Sequence, residues 1–145
     1  MIRTDVKSYY ASIDHAILIQ QIQACFDDAR VRHYLSQIIQ APIDHGGVFE
    51  HPTQGIWPQS SLSGLFAALY LIPLDQRFDK RTDLFYRRYN DDIIILCRTK
   101  SQWAKAKRRL KEVMARLKLT LSRTKTSMGP LAHGFHFLGV NMAWT

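Results

Sequence analysis

Leu84-Phe85-Tyr86-Arg87-Arg88-Tyr89-Asn90-Asp91-Asp92-Ile93-Ile94-Ile95-Leu96-Cys97 is the stretch of the sequence that decides the fold. Both ends of this stretch are rich in strand formers, and the Asn-Asp-Asp in its middle favours a turn. The pattern predicts a β-hairpin that carries Asp91 and Asp92 side by side at its tip. Two adjacent carboxylates repel each other unless a cation lies between them, and Mg²⁺ prefers such oxygen ligands. From these residues alone, a divalent-metal site and an ordinary solvated turn are equally good interpretations.

The composition is that of one soluble globular domain. The chain has 145 residues, of which 46% are hydrophobic and 22% charged, enough for a sizeable core. No apolar run approaches the roughly 18 residues of a membrane span, and the first residues lack the apolar segment of a signal peptide. Cys25 and Cys97 are far apart, which predicts reduced thiols. We therefore expect a cytoplasmic protein with no membrane partner.

The charge is strongly basic, with 20 Lys and Arg against 12 Asp and Glu and a formal net charge of +8. A basic small domain favours a polyanionic partner, most often nucleic acid. The basic residues cluster in Arg77–Arg88, Lys100–Lys118 and Arg123–Lys125. A generally basic, solvated surface remains the alternative, above all for residues 101–118.

The order of the predicted elements indicates the fold class. We predict a strand over residues 1–6, a helix from Asp14 and a second helix over 28–40. A loop with a short hairpin follows over 43–60, then a third helix after Ser60 or Ser61. After the hairpin we predict a helix over 101–118 and strands at 119–121 and 135–142. In the second helix, five apolar residues are predicted to point inward: Val31, Tyr34, Leu35, Ile38 and Ile39.

This order predicts an α+β domain, a mainly antiparallel sheet with helices packed on one face, in a split β-α-β-like arrangement. The hairpin would lie centrally, next to the first strand. Asp5 at the end of that strand would then meet Asp91 and Asp92. Three carboxylates that converge from separate segments can hold two Mg²⁺ ions about 3.5–4 Å apart, the arrangement needed for in-line phosphoryl transfer.

Four blocks of the sequence resemble the motifs of bacterial reverse transcriptases of the group II intron and retron type. Residues 5–15, beginning Asp5-Val6-Lys7-Ser8-Tyr9-Tyr10, are similar to motif A, and Tyr89-Asn90-Asp91-Asp92 matches the YxDD box of motif C. Residues 119–126 are similar to motif D, and residues 135–140 to motif E, the primer grip. The resemblance implies a polymerase palm over residues 1–145, with fingers and thumb not present, in an intracellular protein of bacterial or phage origin.

The resemblance also implies the catalytic groups. Asp5, Asp91 and Asp92 would bind two Mg²⁺ ions, with Mn²⁺ as a substitute, and the carbonyl of Val6 would complete one coordination shell. Lys125 would lie near the departing pyrophosphate as a charge stabiliser or proton donor.

Further residues are implied in substrate binding. Tyr9 and Tyr10 would lie at the nucleotide, where the bulky ring of Tyr10 would exclude a 2′-hydroxyl and favour dNTPs; a place in the core remains the alternative for one of the two. Gln59 and Ser60 of motif B would also contact the nucleotide. Phe137, Leu138 and Gly139 would hold the primer terminus. The implied partners are an RNA template, a DNA or RNA primer, a dNTP, and other polymerase domains or subunits.

Motif B is where the sequence departs from the family pattern, Gly-x-Pro-Gln-Gly-Ser-x-Leu-Ser. In Gly55-Ile56-Trp57-Pro58-Gln59-Ser60-Ser61-Leu62-Ser63, an ungapped alignment puts Trp57, Pro58 and Gln59 in place of the family's proline, glutamine and glycine. A local shift would instead keep Pro58-Gln59 in the family roles.

Two functions remain open beside RNA-directed DNA synthesis. A palm with an altered motif B could serve as a non-catalytic nucleic-acid-binding or assembly module. RNA-templated RNA synthesis is a weaker alternative, because Tyr10 and the YxDD box favour dNTPs.

Overall fold

The computed structural model describes residues 1–130 and 134–142, in fourteen elements. The helices are α1 Tyr9–Ser12, α2 His15–Cys25, α3 Ala29–Ile39, α4 Ser63–Tyr70, α5 Ile72–Phe78 and α6 Lys100–Arg116. The strands are β1 Ile2–Thr4, β2 Ile43–Asp44, β3 Phe49–Glu50, β4 Leu84–Tyr89, β5 Asp92–Cys97, β6 Ser127–Met128, β7 Phe135–Phe137 and β8 Val140–Met142.

The main sheet has the strand order β4-β5-β1-β6, and every neighbouring pair in it is antiparallel. The hairpin predicted over residues 84–97 forms as β4 and β5, with Tyr89 opposite Asp92 at its closed end. As predicted, the hairpin lies beside the first strand, since Thr4 pairs with Ile93 and Ile2 with Ile95. Pairs β2-β3 and β7-β8 form separate two-stranded sheets.

The core lies between the main sheet and the helices. Ile2, Ile93 and Ile95 are completely buried, because alternation along paired strands puts them on one face of the sheet. They belong to one apolar cluster with residues of the helices, among them Leu18, Ile22, Tyr70, Leu74, Phe78 and Leu110. The predicted α+β class, with helices on one face of an antiparallel sheet, is confirmed.

Side-chain caps begin the longer helices where the sequence predicts. Asp14 caps α2 by accepting a hydrogen bond from the backbone N–H of Ile17 at 3.1 Å. Asp28 caps α3 in the same way, and Thr99 forms a capping box with Gln102 at the start of α6. These caps satisfy N–H groups that have no partner within the helix. None of the helices described is long and apolar enough to cross a membrane.

The structure corrects two helix predictions. In α3 only Leu35 and Ile39 are buried, whereas Val31, Tyr34 and Ile38 are exposed, because α3 packs mainly against α2 and that contact covers only part of its apolar side. The third predicted helix is divided into α4 and α5, with Pro73 in the first turn of α5. Proline there suits a helix start but would clash with the preceding turn of a continuous helix.

Two strand predictions also change. Of residues 119–121, only Leu121 forms a bridge, with Val6, and the fourth strand of the sheet is β6 instead. The strand predicted over 135–142 is a hairpin, because Leu138 and Gly139 turn the chain with positive φ values of 50° and 79°. The predicted palm extends to residue 145, and residues 143–145 lie outside the described ranges.

Candidate active site

Asp5 lies directly after β1, on the face of the sheet opposite to the helices. Its side chain is buried, and its Oδ2 forms an ion pair with Nζ of Lys125 at 2.8 Å. Its other oxygen, Oδ1, is buried without a hydrogen-bond partner in the described part of the chain. Because buried carboxylate oxygens are nearly always satisfied, this orphaned acceptor indicates a place for a cation or a donor that the protein does not itself supply.

The turn between β4 and β5 brings Asp91 and Asp92 to the same edge. Asn90 has a left-handed backbone with φ of 53°, a conformation that asparagine tolerates well. Asp91 follows in the turn and Asp92 begins β5. Extending the register by one residue beyond the pair of Thr4 with Ile93 sets Asp5 beside Asp92.

The charges of these acids act on one another. Burial raises the pKa of the Asp91 carboxyl, and the nearby charges of Asp92 and Asp5 raise it further, while Lys125 opposes them. A raised pKa means that ionised Asp91 is in an unfavourable environment until positive charge is added. The three acids that the sequence predicts at one site are therefore electrostatically coupled in the structure.

The acids do not form a ready-made metal cage. Among residues 1–130 and 134–142, no group of three or more His, Cys, Asp or Glu side chains is arranged to hold a metal ion. The donor chemistry nevertheless suits a hard divalent cation, since all three groups are carboxylates. The orphaned Oδ1 of Asp5 also fits a cation, so the residues suit a metal ion although their side chains are not arranged around one.

Lys125 supplies positive charge to this edge. It lies on the loop before β6, and its side chain is 69% exposed although it reaches buried Asp5. The contact with Asp5 raises the pKa of the Lys125 ammonium group, and the charges of Asp91 and Asp92 add to that effect. The sequence predicts Lys125 in this site, and the structure places it there.

The carbonyl of Val6, the residue after Asp5, takes no part in the bridge between Val6 and Leu121. That bridge uses the carbonyl of Asp5, which accepts from the N–H of Ser122 at 2.9 Å, and the N–H of Lys7, which donates to Thr120 at 2.8 Å. The Val6 side chain is buried in the core. The ligand role expected of Val6 therefore rests on its carbonyl, which takes no part in the bridge.

The two tyrosines of motif A lie in different environments. Tyr9 is 3% exposed, and its hydroxyl donates to the carbonyl of Ala67 at 2.5 Å. Tyr10 is half-buried, and its hydroxyl lies 3.5 Å from the side-chain amide of Asn90, next to the acidic turn. The structure therefore assigns Tyr9 to the core, and Tyr10 is the tyrosine of the pair that faces the site.

The motif B segment packs against motif A at its beginning. Gly55 donates its N–H to the carbonyl of Ile13 at 2.7 Å, and its own carbonyl lies 2.6 Å from Nε2 of His15. Gln59 is exposed in a turn, whereas the Ser60 hydroxyl accepts from the N–H of Leu62 at 3.3 Å. Within the described ranges no hydrogen bond or ion pair joins Gln59 or Ser60 to the acids, so their nucleotide-binding role stays a prediction.

The segment resembling the primer grip forms the hairpin of β7 and β8. Phe137 ends β7, and Leu138 and Gly139 form the turn. Leu138 is 50% exposed, so an apolar side chain is presented at the tip of a hairpin that is separate from the main sheet. Its contact with a primer stays a prediction.

Arg88 is a site residue that the sequence interpretation missed. Its guanidinium group donates from Nε to Oδ1 of Asp75 at 2.8 Å and from a second nitrogen to Oδ2 of Asp75. It also donates to the carbonyl of Asn90 at 2.7 Å, and Asp75 accepts from the hydroxyl of Tyr86 at 2.6 Å. Helix α5 thereby holds the turn that carries Asp91. The sequence pattern that could have identified Arg88 is strand alternation, which puts it on the same buried face as Tyr86. A buried arginine is nearly always paired with an acid.

Comparison with known proteins agrees with this geometry. The family model described as reverse transcriptase (RNA-dependent DNA polymerase) matches residues 1–142. No match to a curated protein is found. Three structures of telomerase from Candida tropicalis have the same fold. The apo form has a TM-score of 0.78 at 15% identity, covering 98% of this chain and 31% of that one.

The other two structures are a form truncated from its C-terminal domain and a complex with a TWJ fragment of telomeric RNA. Their TM-scores are 0.72 and 0.75 at 17% and 16% identity, and the matches cover 98% and 97% of this chain. This chain spans only 28% to 33% of the telomerase chains. The likeness is one of fold, and it confirms the predicted polymerase-palm architecture.

Proposed function

The chain belongs to the reverse transcriptase family, and from that premise we propose that it is the catalytic palm of an RNA-directed DNA polymerase. It would add dNTPs to a primer 3′-hydroxyl on an RNA template. The observation that carries this proposal is the convergence of Asp5, Asp91 and Asp92 on one sheet edge, with Oδ1 of Asp5 buried and unsatisfied.

Reverse transcriptase domains use divalent metal ions, and we propose two Mg²⁺ ions here, with Mn²⁺ as a substitute. Asp5 and Asp91 would hold them most directly, with Asp92 and the carbonyl of Val6 completing the shells. When bound, the ions would activate the attacking hydroxyl and stabilise the leaving oxygen.

The chain's own side chains have distinct tasks around these ligands. Lys125 would leave Oδ2 of Asp5 and turn its ammonium group toward the pyrophosphate, where it stabilises charge or donates a proton. Tyr10 would limit the space beside the sugar, and Arg88 would keep the Asn90–Asp91 turn in place. The exposed tip formed by Leu138 and Gly139 would contact the primer end, with Phe137 behind it.

The finer identity also belongs to this proposal. The motif blocks support a bacterial reverse transcriptase of the group II intron or retron type, acting in the cytoplasm. Its partners would be an RNA template, a DNA or RNA primer and dNTPs. As a palm over residues 1–145, it would work together with fingers and thumb provided by further polymerase segments or subunits.

Primer extension and calorimetry together test the proposal. The protein, with any polymerase segments that flank this chain, is given an RNA template, a primer, dNTPs and Mg²⁺ or Mn²⁺. Asp91→Asn should abolish extension and weaken metal binding, because it removes one charged ligand. Asp83→Asn is the matched control, since Asp83 pairs with Arg81 away from the site. Template binding without extension in either metal would instead favour the non-catalytic binding or assembly module.

A further inference from the structure

The outward surface of α6 carries an unusual concentration of positive charge. The helix has seven basic residues and a single acid, Glu112. The basic residues are Lys100, Lys105, Lys107, Arg108, Arg109, Lys111 and Arg116. Four of its apolar residues, Ala106, Leu110, Val113 and Met114, are buried, whereas Ala104 and Ala115 are exposed. The charges on the exposed part of the helix are therefore almost all positive.

The one acid of the helix is already neutralised. Oε2 of Glu112 lies 3.5 Å from Arg77 of α5, and Oε1 lies 3.6 Å from Arg108. Glu112 thus has two cationic neighbours and does not offset the other lysines and arginines of α6. The excess charge on this surface is available to a partner.

A shallow groove of about 550 Å³ runs along the same surface. Ala104 and Ala115 leave room in it, and Lys107 and Lys111 line it one helical turn apart, about 6 Å along the axis. Nζ of Lys107 lies 4.9 Å from the centre of the Trp103 ring, and the indole N–H of Trp103 donates to the carbonyl of Met1 at 3.2 Å. These contacts hold one wall of the groove in a defined position.

The groove lies away from the catalytic edge. Helix α6 packs against β5, on the face of the sheet that holds Ile93 and Ile95. Asp5 belongs to the opposite face. A strand bound in the groove would therefore be separated from the acids by the thickness of the sheet and the helix.

We propose that this groove, here called the α6 groove, binds the phosphodiester backbone of a nucleic-acid strand outside the active site. Lysine ammonium groups are suited to phosphates as mobile point charges. The proposal goes beyond template-directed synthesis and does not depend on it, because the α6 groove would bind the strand even if the acidic edge were inactive.

The composition of the surface argues against other anionic partners. A membrane-binding helix exposes large apolar side chains beside its basic ones so that they can insert into the bilayer. In α6 the large aliphatic side chains are buried, Trp103 is held by its hydrogen bond to Met1, and the exposed apolar residues are the small Ala104 and Ala115. Protein interfaces are depleted in lysine at their centres, yet two of the residues that line the groove, Lys107 and Lys111, are lysines. A regular polyanion such as a nucleic-acid backbone fits this pattern best.

The test is salt-dependent binding of single-stranded oligonucleotides, RNA and DNA of the same sequence, in EDTA so that metal-dependent binding at the acids is absent. The double variant Lys107→Gln/Lys111→Gln should bind roughly tenfold more weakly. The slope of log K against log salt should fall by about 1.4, since each lost phosphate contact on a single strand removes about 0.7. Lys111→Gln alone leaves the contact of Lys107 with Trp103 intact and should lower the slope by about 0.7.

Arg30→Gln/Arg32→Gln is the matched control, because it removes two charges from the exposed surface of α3. It should leave the slope unchanged. If the Lys107→Gln/Lys111→Gln variant binds both RNA and DNA more weakly, or RNA alone, the proposal is supported and the preferred strand is identified. Equal weakening by the two double variants would reduce the effect to net charge and overturn it. The proposal would also be overturned if the protein bound polyglutamate or anionic vesicles as tightly as oligonucleotides and that binding depended equally on Lys107 and Lys111.

Discussion

The ammonium group of Lys125 lies 2.8 Å from Oδ2 of Asp5, so one of the acids expected to hold a metal ion is already paired with a cation from its own chain. The two side chains differ greatly in exposure, at 69% for Lys125 and 7% for Asp5. Because Asp5 is held by the sheet edge and Lys125 is on a loop, the lysine is the partner that can move. A metal ion arriving at Asp5 would compete with Lys125.

We predict that Lys125→Met increases the affinity of the protein for Mn²⁺ by about threefold to fivefold, the modest size expected for loss of an exposed competing cation. The same variant should slow primer extension, because the group that faces the pyrophosphate is removed. Isothermal titration calorimetry measures the affinity, and single-turnover extension measures the rate.

Lys118→Met is the matched control for this prediction. Lys118 forms a similar pair with Asp14, with 2.7 Å between Nζ and Oδ2, outside the acidic edge. Its removal should leave the Mn²⁺ affinity unchanged. Unchanged or weaker metal binding by Lys125→Met would show that Lys125 does not compete for Asp5.

The contact of Arg88 with Asp75 provides a second prediction. Arg88→Lys should lower the free energy of unfolding by about 1–2 kcal/mol, because lysine cannot reproduce the two parallel hydrogen bonds to the carboxylate. It should also slow extension, since the hydrogen bond to the Asn90 carbonyl at 2.7 Å is lost. Urea denaturation measures the stability.

Arg87→Lys is the neighbouring control, because Arg87 is exposed and lies over the ring of Phe85 on the other face of β4. Its effect on the free energy of unfolding should stay within about 0.5 kcal/mol. If the two variants lose equal stability, the ion pair with Asp75 does not hold the turn.

The hairpin was predictable because its signals are local, since residues 84–97 contain both strands and their turn. The meeting of Asp5 with Asp91 and Asp92 was expected from the order of the elements, which puts the first strand beside the hairpin. Strand β6 was not predictable in the same way, since Ser127 and Met128 are too few to show a periodicity and are selected by pairing with β1. The contact of Arg88 with Asp75 was not predicted either, because it joins β4 to α5 and no sequence pattern links these two elements.

The errors in α3 have a different physical origin. An apolar periodicity shows which side of a helix is apolar, but not how much of that side another element covers. Leu35 and Ile39 are covered, whereas Tyr34 remains 63% exposed. The resemblance to motif A likewise selected both Tyr9 and Tyr10, and only the packing of the core separates them.

Tyr10 provides a prediction about sugar selectivity. Tyr10→Ala should reduce the preference for dNTPs over rNTPs by about tenfold or more in kcat/KM, because the ring no longer excludes the 2′-hydroxyl, while Tyr10→Phe should retain the preference. Tyr9→Phe should lower the free energy of unfolding by about 1 kcal/mol through loss of the hydrogen bond to Ala67 and leave selectivity unaltered. A selectivity change confined to Tyr9→Phe would reverse the assignment of the two tyrosines.

The ion pair between Asp14 and Lys118 predicts a pH-dependent stability. The hydrogen bond from Lys118 lowers the pKa of the Asp14 carboxyl, and the N–H of Ile17 adds to that effect. Because the folded-state pKa is below the unfolded one, near 3.9, the stabilisation is complete above that value and is lost as the pH falls through the folded-state pKa.

Asp14→Asn keeps the helix cap and removes the charge. It should therefore lower the free energy of unfolding by less than about 1 kcal/mol at pH 7, and the difference from the unmodified protein should shrink below about pH 4. Asp28→Asn changes the corresponding cap of α3, whose pair with Arg30 spans 4.0 Å, and should show a smaller difference. Urea denaturation between pH 3 and 7 would contradict the prediction if the effect of Asp14→Asn grew in acid.

The last prediction concerns Leu138, where the backbone conformation favours asparagine but the proposed primer contact requires an apolar side chain. Leu138 and Gly139 both have positive φ, the pattern of a type I′ hairpin turn, in which Asn-Gly is preferred and a leucine is strained. Leu138→Asn should stabilise the β7-β8 hairpin by about 1 kcal/mol, seen as slower amide hydrogen exchange in those strands. The same variant should weaken primer binding, because the exposed apolar side chain is lost.

Leu138→Ala separates the two effects, since it retains the backbone strain and removes most of the side chain. It should weaken primer binding without slowing exchange, and full primer affinity in both variants would exclude Leu138 from the primer grip.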